Sequence, residues 1–347
     1  MFMKKNNTVP QRILFLYYDP HPFHAKMAKS VGAIFYAAPK LKSESSNMFT
    51  GGISIINAVI KLPKNFDIYF CEGTYIIPAI AKKLRLINKN AKIVNILASP
   101  LLYYIKTGLI KGLRKEFAVY LLKNVDLFVS IGDMEDNLLK ESVPCAKSII
   151  SYPNIEEKKF KKVGKIITKS ALQSKKILVV GTHSAYYKGV DLALEAFKIV
   201  RKEHPDATLD VVGKMSDIGM YINKNSEGIM YKGHVDNLLN YMRNYALCVH
   251  MGRGDTFPVS TMEAMSIGLP TIISHFTGTK KIVSNVDKNM IVPLDSGILA
   301  EKISRYFNLS EARKRNISNK FRKAESEFNK KDYVLEFHKN FYKVLKL

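Results

Sequence analysis

Short apolar runs alternate with longer amphipathic stretches along the first half of the chain. The runs at residues 12–18, 67–70, 92–97, 126–130 and 148–151 have the length and composition of buried strands. The stretches between them, such as 76–87 and 134–143, have helical spacing. Strands that alternate with helices form mostly parallel sheets covered on both faces, so this half predicts a doubly wound α/β domain.

The same pattern restarts in the second half. Apolar runs predict strands at 176–180, 208–212, 228–231, 246–250, 270–273 and 290–292, and a helix is predicted over 189–204. A Lys- and Ser/Thr-rich stretch, 160–174, is interpreted as a linker. The chain therefore predicts an N-terminal Rossmann-like domain over 1–165, a second one over 166–328, and a basic C-terminal helical segment over 329–347.

Composition narrows the class of protein. The 347 residues are 47% hydrophobic and 24% charged, which is typical of a folded globular chain. The three cysteines form no CxxC pair, so neither a zinc site nor a disulfide framework is predicted. No apolar run reaches the ~18–20 residues of a membrane span, and none follows the first lysines as in a signal peptide. We therefore expect a cytoplasmic protein without a metal or other cofactor.

The net charge of +24 predicts attraction to polyanions. The excess is spread over both halves, so a solvated basic surface is an equal alternative. No zinc-finger spacing, RNP-type motif or arginine cluster occurs, which argues against a nucleic-acid partner. Residues 105–123 combine apolar positions at helical spacing with Lys106, Lys111, Arg114 and Lys115. This pattern is typical either of a helix on an anionic membrane or of core helices packed on a sheet.

Candidate binding and catalytic residues are most concentrated at positions 252–270. Pro258 suits the first turn of a helix, which leaves Asp255 in the preceding loop and Glu263 just over one turn inside. A helix that starts after a parallel strand directs N–H groups toward the crevice where anions bind. A carboxylate beside such a site can accept hydrogen bonds from a ribose diol or from sugar hydroxyls. The alternative is a solvated pair of acidic residues.

The sequence around these carboxylates resembles a known family. Residues 255–270, DTFPVSTMEAMSIGLP, resemble the E-G-F-P-x4-E-A-M-A-x-G-x-P signature of glycosyltransferase family 4, retaining GT-B enzymes that use nucleotide sugars. Upstream, Lys188-Gly-Val-Asp191 resembles the K-G-V-D segment of that family. Val211-Val-Gly213, Gly233-His-Val235 and Ser151-Tyr-Pro-Asn154 match its order of motifs. The resemblance is strong from about residue 126 onward and weak before it.

The resemblance implies a fold and a set of roles. It implies two doubly wound Rossmann-like domains facing a cleft, with a C-terminal helix that crosses back to the first domain. It also implies that Lys188 neutralises a diphosphate, that Glu263 binds the ribose, and that Asp255 holds hydroxyls of the transferred sugar. These three are the candidate catalytic residues. The further donor-binding candidates are Gly181, Thr182, His183, Arg253, Thr256, Phe257 and Pro258. The implied activity is a metal-independent transfer of a hexosyl group with retention.

Several positions depart from the family pattern. Asp255 replaces a glutamate, Thr182 stands where many members have arginine, and Lys281 replaces an acid. His183 or Arg253 is expected to supply the phosphate contact that Thr182 lacks. The first domain has Pro20-His-Pro-Phe-His24 in place of the early glycine pair, and His21 and His24 are candidate contacts to the acceptor or donor.

Two functions remain open at this stage. The first is a glycosyltransferase whose acceptor is a lipid-linked or membrane-surface glycan, bound peripherally at the inner face of the membrane through residues 105–123. The second is a catalytically weak or inactive GT-B protein that binds a nucleotide sugar or acts as a partner subunit. The donor base, the sugar, the acceptor and the oligomeric state do not follow from the sequence.

Overall fold

The computed structural model describes residues 11–18, 20–39, 48–73, 76–154, 167–221 and 227–346. The chain divides into two compact units. The first unit comprises Met1–Ile131, Asp136–Ser151 and Tyr333–Leu347, and the second comprises Gly132–Glu135 and Tyr152–Asp332. The second unit thus begins at Tyr152, earlier than the expected boundary at 165/166, and it includes a four-residue segment from within the first half.

The first unit contains a six-stranded parallel sheet of order β2-β1-β3-β4-β5-β6. Its strands are β1 (Ile13–Tyr17), β2 (Ile34–Ala37), β3 (Ile68–Glu72), β4 (Lys92–Leu97), β5 (Leu127–Ser130) and β6 (Ser148–Ile150). The helices that follow these strands are α1 (Pro22–Ser30), α2 (Met48–Ile60), α3 (Ile77–Lys83), α4 (Leu101–Lys106), α5 (Leu113–Leu122) and α6 (Asp133–Ser142). Helix α6 begins within the segment 132–135 of the second unit.

The last helix of the chain, α14 (Tyr333–Leu345), belongs to the first unit. Its fully buried Phe337 stacks on Phe70 of β3 with ring centroids 5.8 Å apart. His338 Nδ1 lies 2.7 Å from the carbonyl of Ser30, at the end of α1. Aromatic burial fixes α14 on the sheet, and the His338 contact fixes it on α1.

The second unit contains a second six-stranded parallel sheet, of order β12-β11-β10-β7-β8-β9. Its strands are β7 (Lys176–Val180), β8 (Thr208–Val212), β9 (Ile229–Gly233), β10 (Leu247–His250), β11 (Thr271–Ser274) and β12 (Ile291–Val292). Its helices are α7 (Lys169–Gln173), α8 (Val190–Glu203), α9 (Leu238–Met242), α10 (Val259–Ser266), α11 (Lys280–Ser284), α12 (Ser296–Phe307) and α13 (Glu311–Asn329). Two parallel α/β sheets confirm the predicted fold class.

The stretch interpreted as a linker contains structure in its described part. Residues 160–166 lie outside the described residues, but α7 follows at once, and the Thr168 side chain caps it by accepting from the N–H of Ala171. Ile167, Ala171 and Leu172 are buried in the hydrophobic core of the second unit. The interpretation as a linker is therefore wrong for residues 169–173, because two apolar side chains among the polar ones suffice to anchor one short helix.

Helix α5 presents an apolar stripe to solvent. Leu113, Phe117 and Tyr120 recur at i, i+4 and i+7, and their exposed fractions are 89%, 51% and 49%. Leu122, about half a turn away around the helix, is the buried member. The stripe, defined as these three residues, therefore points away from the sheet, and a core role for it is excluded. Within the described ranges, no helix combines the length and apolarity of a membrane span.

Candidate functional site

The sheet of the second unit has one point where the direction of strand addition reverses. The chain runs from β7 to its neighbour β8 on one side, whereas β10 lies on the other side of β7. In open parallel sheets, ligands bind outside the carboxyl ends of the strands at such a switch point. Val180 ends β7 and His250 ends β10, so the loops 181–189 and 251–258 flank this point.

The loop after β7 is held by Asp217. Its carboxylate accepts hydrogen bonds from Ser184 Oγ at 2.9 Å and from the backbone N–H of Ala185 at 2.6 Å. Burial opposes ionisation of this carboxyl, but these hydrogen bonds outweigh it and lower its pKa. Thr182 and His183 are exposed in this loop, and His183 adopts a φ of 71°. Asp217 therefore holds the loop in place, while Thr182 and His183, two of the predicted donor contacts, are exposed to solvent.

Two glycines, Gly189 before α8 and Gly213 after β8, allow a close approach of backbones. A Cβ on Gly213, which has a φ of 112°, would lie 1.7 Å from the carbonyl oxygen of Gly181. A Cβ on Gly189, with a φ of 68°, would lie 2.0 Å from the carbonyl oxygen of Met251. Neither position accepts a side chain without displacement of the chain. Gly189 in particular lets the start of α8 reach the loop that follows β10.

Lys188 and Asp255, which are 67 residues apart in sequence, form the centre of the site. Lys188 Nζ lies 2.6 Å from Asp255 Oδ2, and the two side chains are 15% and 9% exposed. His250 Nε2 lies 2.9 Å from the same oxygen, although its geometry is not that of a hydrogen bond. Burial alone would raise the pKa of Asp255, but Lys188 and His250 outweigh it and hold that pKa far below its ordinary range. The lysine donates once to Asp255 and has two further N–H groups.

Arg253 is occupied within the protein. Its two terminal nitrogens donate to the two carboxylate oxygens of Asp191 at 2.7 Å each, and one also donates to the carbonyl of Tyr186. The guanidinium lies 4.0 Å from the centre of the Tyr186 ring. Such a bidentate and stacked arginine joins the loop after β10 to the start of α8. Arg253 thus has a loop-holding role in the structure, and the phosphate contact expected of it from the sequence stays a prediction.

The backbone from Asp255 onward is tied to the loop after β11. The N–H of Gly278 donates to the carbonyl of Asp255 at 2.8 Å, and Ser274 Oγ donates to the carbonyl of Gly252 at 2.6 Å. A Cβ on Gly278 would lie 1.5 Å from the carbonyl oxygen of Thr256. The loop after β11 therefore fixes the course of 252–256, and Gly278 is required for this contact.

Helix α10 begins directly after this loop, as the sequence predicts. Pro258 is its N-cap, and its side chain accepts no hydrogen bond from the first N–H groups. Phe257 is buried in an aromatic cluster with Tyr152 and Phe328, at centroid distances of 5.8 Å to each. Glu263 is 8% exposed and lies in the second turn of the helix. The proline and the buried aromatic anchor fix the start of α10 and the position of Glu263.

Two further groups of the second unit, Glu135 and His250, were not predicted from the sequence. Glu135 is 2% exposed, and its pKa is raised well above the ordinary range, first by burial and second by the nearby charge of Asp255. Asp133 of the same segment pairs with Lys281 at 3.1 Å. The other missed group is His250, the last residue of β10. His250 could have been predicted from its position, because a histidine at the end of a predicted buried strand is unusual. The sequence around Glu135 contains no such indication.

The remaining candidates, His21 and His24, lie in the first unit. His21 is the N-cap of α1 and accepts from the N–H of Phe23 through Nδ1 at 3.3 Å. His24 is 5% exposed and contacts the carboxylate of Glu72 through Nδ1. Lys188, Asp255 and the start of α10 are thus brought together in the second unit, while the two histidines form a separate group in the first.

The region that carries Lys188, Asp255 and Glu263 also matches a protein family. Residues 174–308 match the family described as Glycosyl transferases group 1. This range contains both loops at the switch point and helix α10. The chain carries a group 1 glycosyltransferase domain. Assignment to family 4 within this group stays a prediction.

Similar proteins extend the likeness beyond this domain. The capsular polysaccharide biosynthesis glycosyltransferase CapM of Staphylococcus aureus is 23% identical over 309 residues, which cover 80% of this chain and 79% of CapM. Sucrose-phosphate synthase from Thermosynechococcus elongatus superposes with a TM-score of 0.71 at 15% identity, covering 97% of this chain and 99% of that protein. HepE of Anabaena, solved with UDP and glucose, gives a TM-score of 0.65 at 13% identity over 97% of this chain and 99% of its own. These likenesses confirm the GT-B fold expected from the sequence.

Proposed function

We propose that this protein is a glycosyltransferase that transfers a sugar from a nucleoside-diphosphate sugar to an acceptor. The observation that carries the proposal is the buried Lys188–Asp255 contact of 2.6 Å at the switch point of a group 1 glycosyltransferase domain. Support comes from the relatives, since CapM is a glycosyltransferase and HepE was solved with UDP and glucose. UDP-sugars are therefore the first donors to test.

Each group at the switch point has a proposed task. Lys188 contacts the diphosphate with the N–H groups that Asp255 leaves unused. The start of α10, where the Pro258 side chain offers no acceptor to the first N–H groups, adds favourable partial charge. Glu263 accepts from the ribose hydroxyls, and Asp255 accepts from hydroxyls of the transferred sugar. The proposed donor pocket is lined by Gly181, Thr182, His183, Thr256, Phe257 and Pro258.

The proposed reaction retains the anomeric configuration and needs no metal ion. The leaving nucleoside diphosphate gains negative charge in the transition state, and a lysine together with a helix N-terminus stabilises that charge. The resemblance to family 4 supports retention. The prediction is that transfer continues in EDTA and that the product has the same anomeric configuration as the donor, as read from the coupling constant of its anomeric proton. Loss of activity in EDTA, restored by a divalent ion, would contradict the metal-independent reaction.

Nucleotide binding and turnover provide the main test. We expect calorimetry to detect binding of UDP, GDP or ADP to the wild-type chain, and expect Lys188→Met and Glu263→Gln to weaken it. Lys214→Met removes an exposed lysine of the same unit and is the matched control. Hydrolysis of UDP-, GDP- and ADP-sugars then measures turnover. The proposal fails if no nucleotide binds, or if the Lys188 and Lys214 variants bind equally well.

A nucleotide-sugar-binding protein without turnover is the second candidate, and the structure around Asp255 favours it. Asp255 is one methylene shorter than the glutamate of the family signature, and Lys188 and His250 both lie against the same carboxylate oxygen. A carboxylate held in this way has less freedom to follow a sugar hydroxyl. Donor binding with neither hydrolysis nor transfer would support this candidate. In that case Asp255→Glu is expected to bring turnover back.

The acceptor is proposed to be a lipid-linked or membrane-surface glycan, reached by peripheral binding at the cytoplasmic face. The α5 stripe is flanked by Lys111, Arg114 and Lys115, which are exposed and form no ion pair with described residues. Each such cation contributes about 1 kcal/mol near an anionic surface. We expect the protein to sediment with phosphatidylglycerol vesicles at low salt and not with phosphatidylcholine vesicles. Leu113→Ser/Phe117→Ser should release it, whereas Leu84→Ser, at an exposed leucine outside the stripe, should not.

A further inference from the structure

The sheet of the first unit has its own switch point, and a buried polar pair lies there. The chain runs from β1 to β2 on one side, and β3 lies on the other side of β1. Helix α1 follows β1, and Glu72 is the last residue of β3. The carboxyl ends of β1 and β3 therefore form the ligand-binding edge expected for a doubly wound sheet. His24 of α1 and Glu72 meet at this edge.

The contact between them has a defined direction. His24 Nδ1 lies against Glu72 Oε1, and the side chains are 6% and 12% exposed. The same oxygen accepts from the N–H of His21 at 3.2 Å. A hydrogen on Nδ1 that is donated to the carboxylate leaves Nε2 of a neutral ring as an acceptor. The carboxylate therefore fixes both the orientation and the tautomer of His24.

The second carboxylate oxygen is unusual. Glu72 Oε2 is buried and has no hydrogen-bond partner among the described residues. A buried polar atom without a partner costs about 1–3 kcal/mol, and replacement of a buried ion pair by apolar residues is often neutral or stabilising. Packing alone thus gives no reason for a His–Glu pair at this position. An unsatisfied acceptor at a switch point has the property of a site that a ligand completes.

The chemistry of the pair selects the ligand. Oε2 of Glu72 and Nε2 of His24 are both acceptors, so the ligand must donate hydrogen bonds. The pair carries no net positive charge, which disfavours a phosphate-bearing ligand such as the nucleotide. We propose that the His24–Glu72 pair binds hydroxyl groups of the sugar acceptor, and this inference rests on the proposed glycosyl transfer.

Four variants of the full chain separate this role from a structural one. His24→Asn keeps a donor toward Glu72 and removes the nitrogen at the Nε2 position. His24→Gln places an amide oxygen near that position. Glu72→Gln replaces one carboxylate oxygen by a donor. His338→Asn changes an exposed histidine of the same unit, whose ring contacts the carbonyl of Ser30, and is the matched control.

The probes are methyl glycosides of glucose, galactose, mannose and N-acetylglucosamine, measured by saturation-transfer NMR, with UDP measured by calorimetry. We expect at least one glycoside to bind the wild-type chain and the His338 variant. The His24→Asn and Glu72→Gln variants should bind it roughly five- to tenfold more weakly, with His24→Gln in between. UDP affinity should be unchanged in all of them. Circular dichroism confirms that each variant is folded.

The outcomes are distinct. Equal glycoside binding by the His24→Asn and wild-type proteins, or no glycoside binding while UDP binds, overturns the acceptor site and leaves the proposed donor site intact. Loss of UDP affinity in His24→Asn also overturns it, because the role would then concern the donor or the fold. Glycoside binding that depends on His24 in a protein that binds no nucleotide refutes the proposed function and not this site.

Discussion

Replacement of Lys188 by methionine tests the donor site most directly, because it removes the ammonium and keeps the length of the side chain. Nζ of Lys188 lies 2.6 Å from a carboxylate that is only 9% exposed, and the lysine side chain is itself 15% exposed. Breaking a buried ion pair by removal of one partner costs about 3–5 kcal/mol, because the other charge remains buried. The His250 ring, whose Nε2 lies 2.9 Å from the same carboxylate oxygen, offsets part of that cost. We therefore expect Lys188→Met to lower the free energy of unfolding by roughly 2–4 kcal/mol.

The pairing of charges can be isolated with a double-mutant cycle. Asp255→Asn and the double variant Lys188→Met/Asp255→Asn complete the cycle, measured by urea unfolding at pH 7.5. We expect the double variant to be less destabilised than the sum of the single changes, with a coupling energy of roughly 1–3 kcal/mol. A coupling energy below about 0.5 kcal/mol, within the range for independent sites, would show that the 2.6 Å contact contributes nothing to stability.

Nucleotide binding gives the second measurement on the same variants. Loss of a charge-assisted contact to phosphate costs about 1.5–3 kcal/mol, which is roughly a 10- to 150-fold rise in Kd for UDP in Lys188→Met. Asp255→Asn should bind UDP as tightly as the wild type or more tightly, because Lys188 is released from its carboxylate. The reasoning is refuted if Lys188→Met retains the UDP affinity of the Lys214→Met control, or if Asp255→Asn loses as much affinity as Lys188→Met.

Three further predictions concern residues around the site and in α13. Burial raises the pKa of Glu325 to about 7. The folded protein therefore holds a proton between about pH 4.5 and 7 that the unfolded chain has released, and stability falls as pH rises through that window. Glu325→Gln should flatten this dependence and be more stable by roughly 1–3 kcal/mol at pH 8, as measured by urea unfolding; equal slopes for both proteins would contradict it. Gly278→Ala should abolish UDP binding, since its Cβ would meet the Thr256 carbonyl at 1.5 Å, whereas Gly219→Ala, with no heavy atom within 4 Å, should bind UDP normally; calorimetry compares the two. Arg253→Lys should lower the melting temperature through loss of the two 2.7 Å contacts to Asp191, and an unchanged melting temperature would count against a loop-holding role.

The local pattern of the sequence determined much of the framework. The predicted bounds of β4, β7 and β8 agree with the structure, because each is a compact apolar run buried on both faces. The start of α10 after Pro258 followed from the chemistry of proline at a helix start. By contrast, β2 was missed although its four residues, IFYA, are apolar; it is a short strand at the edge of the sheet, and its residues are half-buried or exposed.

Contacts between distant segments were decided only by the tertiary structure. Strand order brings the loops after β7 and β10 together, and so places His250 beside Lys188 and Asp255. It also brings Glu72 to His24, 48 residues away in sequence.

Periodicity reports which face of an element is buried, whereas the partner of a polar side chain depends on which strands are neighbours. For the same reason, the sequence could not predict that Arg253 pairs with Asp191 or that the α5 stripe faces solvent. The sequence therefore determined which residue types form the site, whereas only the tertiary fold determined which of these residues contact one another.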